Sequence, residues 1–201
     1  MTFIESETIE LKSSVVADLC KEVIAFANTK GGTLYIGVED NGTVIGVDSA
    51  DRVTLQINNM VRDSIKPDIT MFVHYETQVI DDKQIIAVTV QEGTDRPYYL
   101  GSKGLKPSGV YVRNGTSTDP ASDTAIRKMI KETDGDSFET MRSLEQNLSF
   151  QAAEAQFAKR KVPYDATKMQ TLGMVSSDGI YSNVALLLSE QCPNTIKAAT
   201  F

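Results

Sequence analysis

The sequence predicts an α/β (α+β) fold, in which a mixed sheet with hairpins and flanking helices is followed by a helical segment. Two observations indicate strands: polar and apolar residues alternate in Thr8–Lys12, and β-branched residues are frequent in Ile69–Ile80 and Gln84–Gln91. A third indicates helices, because apolar residues recur at helical spacing from residue 16 to residue 27 and again through residues 137–190.

The first half of the chain is predicted to alternate strands and helices. After strand 8–12, a helix begins near Val15 and is stopped by Asn28-Thr29-Lys30-Gly31-Gly32. The segments 34–38 and 43–47 are predicted to form a hairpin, because Asp40-Asn41-Gly42 tolerates the positive φ of a tight turn. Ser49 or Asp51 then caps a helix that ends before Pro67.

The next region is predicted to complete the sheet. Ile69–Ile80 and Gln84–Gln91 pair across the polar break Asp81-Asp82-Lys83. Glycines and prolines predict a loop over residues 93–108, interrupted by the apolar piece Tyr98–Leu100. A strand at Gly109–Arg113 and a helix beginning near Asp119-Pro120 follow.

We place a domain boundary at Asp134-Gly135-Asp136, so that residues 1–134 form the α/β domain and residues 135–201 a helical segment. The helical pieces are expected near residues 137–145, 150–160, 165–175 and 182–190. Ile196–Phe201 reads as a strand that begins and is not finished. The second segment is therefore expected to be the start of a longer C-terminal region.

Composition limits the classes of function. Cys20 and Cys192 lie far apart and lack a CxxC partner, which argues against a disulfide framework or a zinc site and favours a reducing cytoplasm. No apolar run is long enough for a membrane helix, so no membrane partner is expected. The formal charge of −7 opposes phosphate binding by the whole surface, so that any contact with nucleic acid needs a local basic patch.

Four pieces in fixed order resemble the AlbA-like domain of the Schlafen family. They are Glu5-Ser6 with Ile9-Glu10-Leu11-Lys12, residues 25–38 (AFANTKGGTLYIGV), Val44-Ile45-Gly46-Val47, and residues 109–118 (GVYVRNGTST). The resemblance covers roughly residues 3–133, and the helical remainder resembles bacterial regulators of the RecG-helicase-like type. It implies nucleic-acid binding, with DNA preferred to RNA, in a transcriptional regulator that forms a homodimer. No ATPase motif is present in this chain.

Cations and aromatic residues alternate in the predicted loop, which makes it the best candidate surface for nucleic acid. Such a mixture pairs cations with phosphates and stacks rings on bases; its members are Arg96, Tyr98, Tyr99, Lys103, Lys106, Tyr111 and Arg113. The alternative is a solvent loop whose tyrosines pack on the sheet. Asn28 and Lys30 belong to a Gly-Gly turn that either receives a phosphate or only caps the helix.

The resemblance also implies a possible enzyme. In the nuclease members of the family, acidic residues form a metal-dependent RNA-cutting site, and the matching positions here are Glu5, Glu10 and Glu39. Such carboxylates would bind Mg²⁺ or Mn²⁺; no other cofactor is expected. The alternative is that these acids are solvated and that Lys12 pairs with Glu10. A third hypothesis is an oligomerisation or partner-docking domain without nucleic-acid binding.

Overall fold

The computed structural model describes residues 3–135 and 137–194. The chain divides into two compact units, Met1–Met129 and Ile130–Phe201. The first unit has a mixed sheet with flanking helices, which confirms the predicted fold class. In the described part of the chain, no helix is long and apolar enough to cross a membrane.

The main sheet has four strands in the order β1-β2-β5-β4. They are β1 (Ile9–Lys12), β2 (Gly32–Ile36), β4 (Val73–Ile80) and β5 (Lys83–Val90). β1 runs parallel to β2 because helix α1 (Leu19–Ala27) connects them, whereas the β2–β5 and β4–β5 pairs are antiparallel. The β4–β5 hairpin confirms the prediction, and Asp81 and Asp82 form its turn with positive φ.

Two helices cover the main core. Helix α1 (Leu19–Ala27) begins later than predicted, and most of its residues are buried. Helix α2 (Ala50–Ser64) buries only Ala50, Ile57 and Val61, because its pattern is amphipathic. Its N-cap is Ser49, whose side chain accepts a hydrogen bond from the backbone N–H of Arg52, as predicted.

The predicted hairpin after β2 forms only at its tip. The turn is present, with Gly42 at φ +85°, and the returning segment pairs with residues 37–39 through the bridge between Val38 and Val44 and three backbone hydrogen bonds, but not with β2. The edge of β2 that it would need is taken by β5, from the Gly32–Val90 pair to the Ile36–Ile86 pair. A long-range strand pairing therefore replaces the local one.

Two short ladders complete the first unit. β3 (Ile65–Lys66) pairs with β6 (Tyr99–Leu100), which contains most of the predicted apolar piece of the loop. β7 (Tyr111–Asn114) pairs with β8 (Ser117–Pro120), a strand that the sequence did not predict. Helix α3 (Asp123–Asp134) follows near its predicted start.

Within residues 137–194, the structure has fewer helices than predicted. α4 (Gln151–Lys159), α5 (Ala166–Thr171) and α6 (Asn183–Leu188) form, with a small core of Phe150, Met174 and Ala185. The predicted helix at 137–145 does not form, because Ser143 donates its N–H to Tyr181 and Arg142 bridges to Ser182. The predicted strand Ile196–Phe201 and Asp136 of the predicted boundary lie outside the described residues.

Candidate functional site

The fold divides the predicted cationic loop into inward and outward residues. Tyr98 is completely buried and belongs to the main core. Arg113, on β7, is also buried, and Arg96 pairs with Glu92 at 2.8 Å. Lys103 and Lys106 are exposed. The predicted contacts of Tyr98 and Arg113 with nucleic acid are therefore corrected, because neither side chain reaches solvent.

Arg113 binds groups of the protein itself. Its Nη1 donates to Glu10 Oε2 at 2.8 Å, to Glu22 Oε2 at 3.2 Å and to Thr118 Oγ1 at 3.0 Å. Its Nη2 donates to the Ser6 carbonyl at 2.8 Å. The guanidinium also lies over the ring of Phe26, 4.9 Å from its centroid. The side chain thereby ties the start of the chain to α1 and to the β7–β8 hairpin.

Arg113, its carboxylate partners Glu10 and Glu22, and Lys12 form a group that we call the buried charged cluster. Glu10 accepts a hydrogen bond from Lys12 as well as from Arg113, which confirms the Glu10–Lys12 pair. Burial lowers the pKa of Lys12, but the hydrogen bond to Glu10 and the charges of Glu10, Glu22 and Glu5 outweigh burial and raise it. Burial, together with the nearby Glu10 charge, raises the pKa of Glu22 even though Thr118 donates a hydrogen bond to it.

Sequence reasoning missed Glu22. The signal was available, because Glu22 stands among Leu19, Val23 and Ile24 in a helix whose other positions are almost all apolar. A charged residue inside such a stripe needs a buried partner of opposite charge. The sequence did not reveal that this partner is Arg113, which lies 91 positions away.

The three carboxylates proposed for a metal do not fit a metal site in this conformation. Both oxygens of Glu10 are occupied by cationic side chains. Glu5 is half-buried and accepts the Leu11 backbone N–H at 3.3 Å, whereas Glu39 is exposed. Within residues 3–135 and 137–194, no three His, Cys, Asp or Glu side chains are grouped closely enough to hold a metal ion.

The Gly-Gly turn after α1 is explained by packing. Asn28 is buried, and its Nδ2 donates to the Tyr98 and Tyr111 carbonyls at 2.9 and 3.0 Å while its Oδ1 accepts the Tyr98 N–H at 2.7 Å. A Cβ on Gly31 would lie 2.6 Å from the Val90 carbonyl oxygen. Both residues therefore serve the close approach of the turn to the strands and the loop around it.

The same turn offers little to a phosphate. The Gly31 N–H donates to the Phe26 carbonyl, and the buried side chain of Asn28 is used inside the protein. Lys30 is exposed but pairs with Glu7 at 3.1 Å. These contacts favour the capping interpretation and correct the predicted role of Asn28 at an interface.

Three exposed lysines surround the β3–β6 ladder, and we call them the lysine cluster: Lys66, Lys103 and Lys106. The ladder and the turn that follows it bring their backbones together, because Lys66 is paired with Tyr99 and Lys103 donates its N–H to the Leu100 carbonyl.

No described carboxylate forms an ion pair with any member of the lysine cluster. Asp68 is close enough to Lys66 for the two charges to interact. Hydrogen bonds from Thr70 hold its pKa below the usual range, and the charge of Lys66 adds a smaller effect. Sequence reasoning missed Lys66, because it lies on a different strand, well before the loop that carries the other two lysines.

Comparison with solved structures finds weak global similarity. A crystal structure of a Corynebacterium diphtheriae protein matches with a TM-score of 0.47 and 18% identity, over 90% of this chain and 39% of that one. The chain thus spans well under half of that protein. The solution structure of the N-terminal domain of a RecG-related protein from Nitrosomonas europaea matches with a TM-score of 0.44 and 28% identity, over 56% of this chain and 82% of that one.

No curated protein matches the sequence. The family model described as "Schlafen, AlbA_2", in contrast, matches residues 5–122. That span is more than half of the 201 residues and includes the whole main sheet, the buried charged cluster and the lysine cluster. The chain therefore belongs to the Schlafen AlbA_2 family.

Proposed function

We propose that this chain is a nucleic-acid-binding module that contacts phosphates through the lysine cluster, and that it binds DNA as part of a transcriptional regulator. The observation that carries the proposal is the contrast between cations. Arg113, Arg96 and Lys30 are neutralised by carboxylates, whereas the exposed lysine cluster keeps its charge. Unpaired cations on one surface are the groups that displace counterions from a nucleic acid.

The acidity of the protein sets the expected strength of binding. With a formal charge of −7, the remainder of the surface repels a polyanion. A patch of three lysines therefore gives weak binding that depends strongly on salt. Membership of the Schlafen AlbA_2 family, and the RecG-related description of the Nitrosomonas europaea protein, support a nucleic acid as the partner.

The test is a fluorescence-anisotropy titration with duplex DNA, single-stranded DNA and RNA over a range of salt concentrations. Neutralising one lysine that binds a phosphate should reduce the slope of log K against log salt by about 0.9 for a duplex. Lys103→Gln and Lys106→Gln should therefore weaken binding and flatten this slope. Lys159→Gln, which removes the same charge from α4 in the second unit, is the matched control.

Three results would contradict the proposal in different ways. Equal loss of affinity in Lys103→Gln and Lys159→Gln would mean that net charge, and not the lysine cluster, governs binding. Absence of binding to every nucleic acid at low salt would favour a partner-docking domain. Cleavage of structured RNA with Mn²⁺ that disappears in Glu10→Ala would replace the proposal with the ribonuclease that the family resemblance implied.

A further inference from the structure

A cavity of about 340 Å³ lies beside the first turns of α2, and we call it the α2 pocket. Ser13 and Ser14, which follow β1, lie on one side of it. Arg52, Val53 and Gln56 line another side, because residues three and four positions apart share one face of a helix. The pocket is outside the buried charged cluster and the lysine cluster.

The inner wall of the α2 pocket is aliphatic. Ile36, at the end of β2, is completely buried, and Val47 and Val53 are half-buried against the main core. The cavity leaves the two valines partly uncovered. An apolar wall of this kind can pack against the face of a nucleobase while polar groups bind its edge, as in enzymes that bind a base removed from its stack.

The polar lining carries both signs of charge. Arg52 is exposed, and its guanidinium forms no ion pair or hydrogen bond with the described residues. Asp48 and Gln56 line the same cavity. A carboxylate beside the cation disfavours a simple anion and favours a ligand that brings hydrogen-bond donors together with its negative charge. A nucleotide has both, in its hydroxyl or amino groups and its phosphate.

We propose that the α2 pocket binds one unpaired nucleotide of a bound strand, with the base against Val47 and Val53 and the phosphate at Arg52. This inference rests on the proposed function and specifies the substrate as a strand with an unpaired base. The volume agrees with one small ligand, since it lies at the lower end of the roughly 300 to 1,000 Å³ typical of ligand pockets.

The pocket and the lysine cluster are far enough apart to be tested separately. The pocket lies at the start of α2, whereas Lys66 follows the end of this helix directly. Arg52 lies 12 positions before Ser64, the last residue of α2, which corresponds to about 18 Å along the helix. A substitution at one end should therefore leave the binding surface at the other end intact.

The experiment is an NMR titration of the full ¹⁵N-labelled chain with adenosine 5′-monophosphate, adenosine, inorganic phosphate and a single-stranded oligonucleotide. We expect adenosine 5′-monophosphate to shift the amides of Gly46 and Val47 and to bind more tightly than adenosine or phosphate. Arg52→Gln should weaken this binding about tenfold, because the variant cannot form the hydrogen bond between charged groups. Arg62→Gln is the matched control, since Arg62 lies on the same helix and pairs with Asp63.

The outcomes separate this inference from the proposed function. If the oligonucleotide binds but the amides of Gly46 and Val47 do not shift, the pocket assignment fails and the lysine cluster stands. If phosphate alone gives the same shifts and affinity as adenosine 5′-monophosphate, the site is an anion site and the nucleotide assignment fails. If the single-stranded oligonucleotide does not bind, the inference about a bound strand fails, whereas the proposed function fails only if duplex DNA and RNA do not bind either.

Discussion

Replacing Arg113 with methionine separates a structural role of this residue from the role in binding that its position in the loop predicted. The substitution removes the donors to Glu10, Glu22, Thr118 and the Ser6 carbonyl while keeping an apolar side chain over Phe26. Removing one partner from a buried ion pair destabilises proteins by about 3–5 kcal/mol.

The structure favours the lower end of this range. Lys12 still neutralises Glu10 after the substitution, and Glu22 has a raised pKa and takes up a proton more readily than an ordinary glutamate. We expect the free energy of unfolding to fall by about 3 kcal/mol. That loss is a large part of the roughly 5–15 kcal/mol that stabilises a typical domain.

The assay is urea unfolding monitored by hydrogen exchange. The β2 and β5 amides are observed because they report on the first unit. At a typical slope of ~2 kcal/mol per molar urea, the midpoint should fall by about 1.5 M. Arg113→Lys should fall between methionine and the wild type, because lysine keeps the charge and loses the planar fork. Lys103→Gln is the exposed control, with a change of about 0.5 kcal/mol or less.

The reasoning would be refuted if Arg113→Met unfolded at the wild-type urea concentration. It would also be refuted if the folded Arg113→Met protein lost nucleic-acid affinity as strongly as Lys103→Gln does. Either result would mean that Arg113 is available to a ligand and is not held within the buried charged cluster.

Three further predictions test the same region. The raised pKa of Glu22 in the folded state stabilises the protein at low pH, and this stabilisation is lost as the pH rises from 4.5 through the raised value. In urea unfolding, Glu22→Gln should therefore gain stability relative to the wild type as the pH rises. A difference in stability between the two proteins that does not change with pH would contradict this. Asn28→Ala leaves three buried backbone groups without their partner, at about 1–3 kcal/mol for each, and calorimetry should show a lower Tm than for Thr29→Ala. Gly32→Ala would place a Cβ 2.4 Å from the Phe26 ring and should cost about 1–3 kcal/mol; an unchanged Tm would mean that the ring moves freely.

Local signals predicted the elements that depend on local interactions. Ser49 and Pro67 bracket α2, and the β4–β5 hairpin is joined by residues suited to its turn. The hairpin after β2 formed only at its tip, for the opposite reason. Its turn signal was correct, but β5 pairs with β2 across about 50 residues of chain, and no local pattern records which of two candidate strands will occupy an edge.

The same limit applies to the candidate site. Arg113 and Lys103 look alike as cations in or beside the predicted loop, yet one is buried and the other exposed. Strand alternation gave the opposite signal: Arg113 shares a face with Tyr111, whereas Val110 and Val112 share the other, more apolar face, so that the pattern predicts Arg113 outward although the structure buries it. The carboxylates that neutralise Arg113 come from β1 and α1, and only the fold brings them there.

Under the proposed function, the distribution of cations would allow an acidic member of this family to hold a polyanion. Arg113 is used inside the protein, where its charge compensates Glu10 and Glu22 and would be costly to leave unpaired. Exposed lysines lose little by remaining unpaired, since water solvates them, and they keep their full charge for a ligand. Three such charges give limited affinity, so selectivity has to come from a contact that recognises more than phosphate. In the described part of the chain, the α2 pocket places the unpaired cation Arg52 beside an apolar wall. For this reason we assign the recognition of an unpaired nucleotide to this pocket.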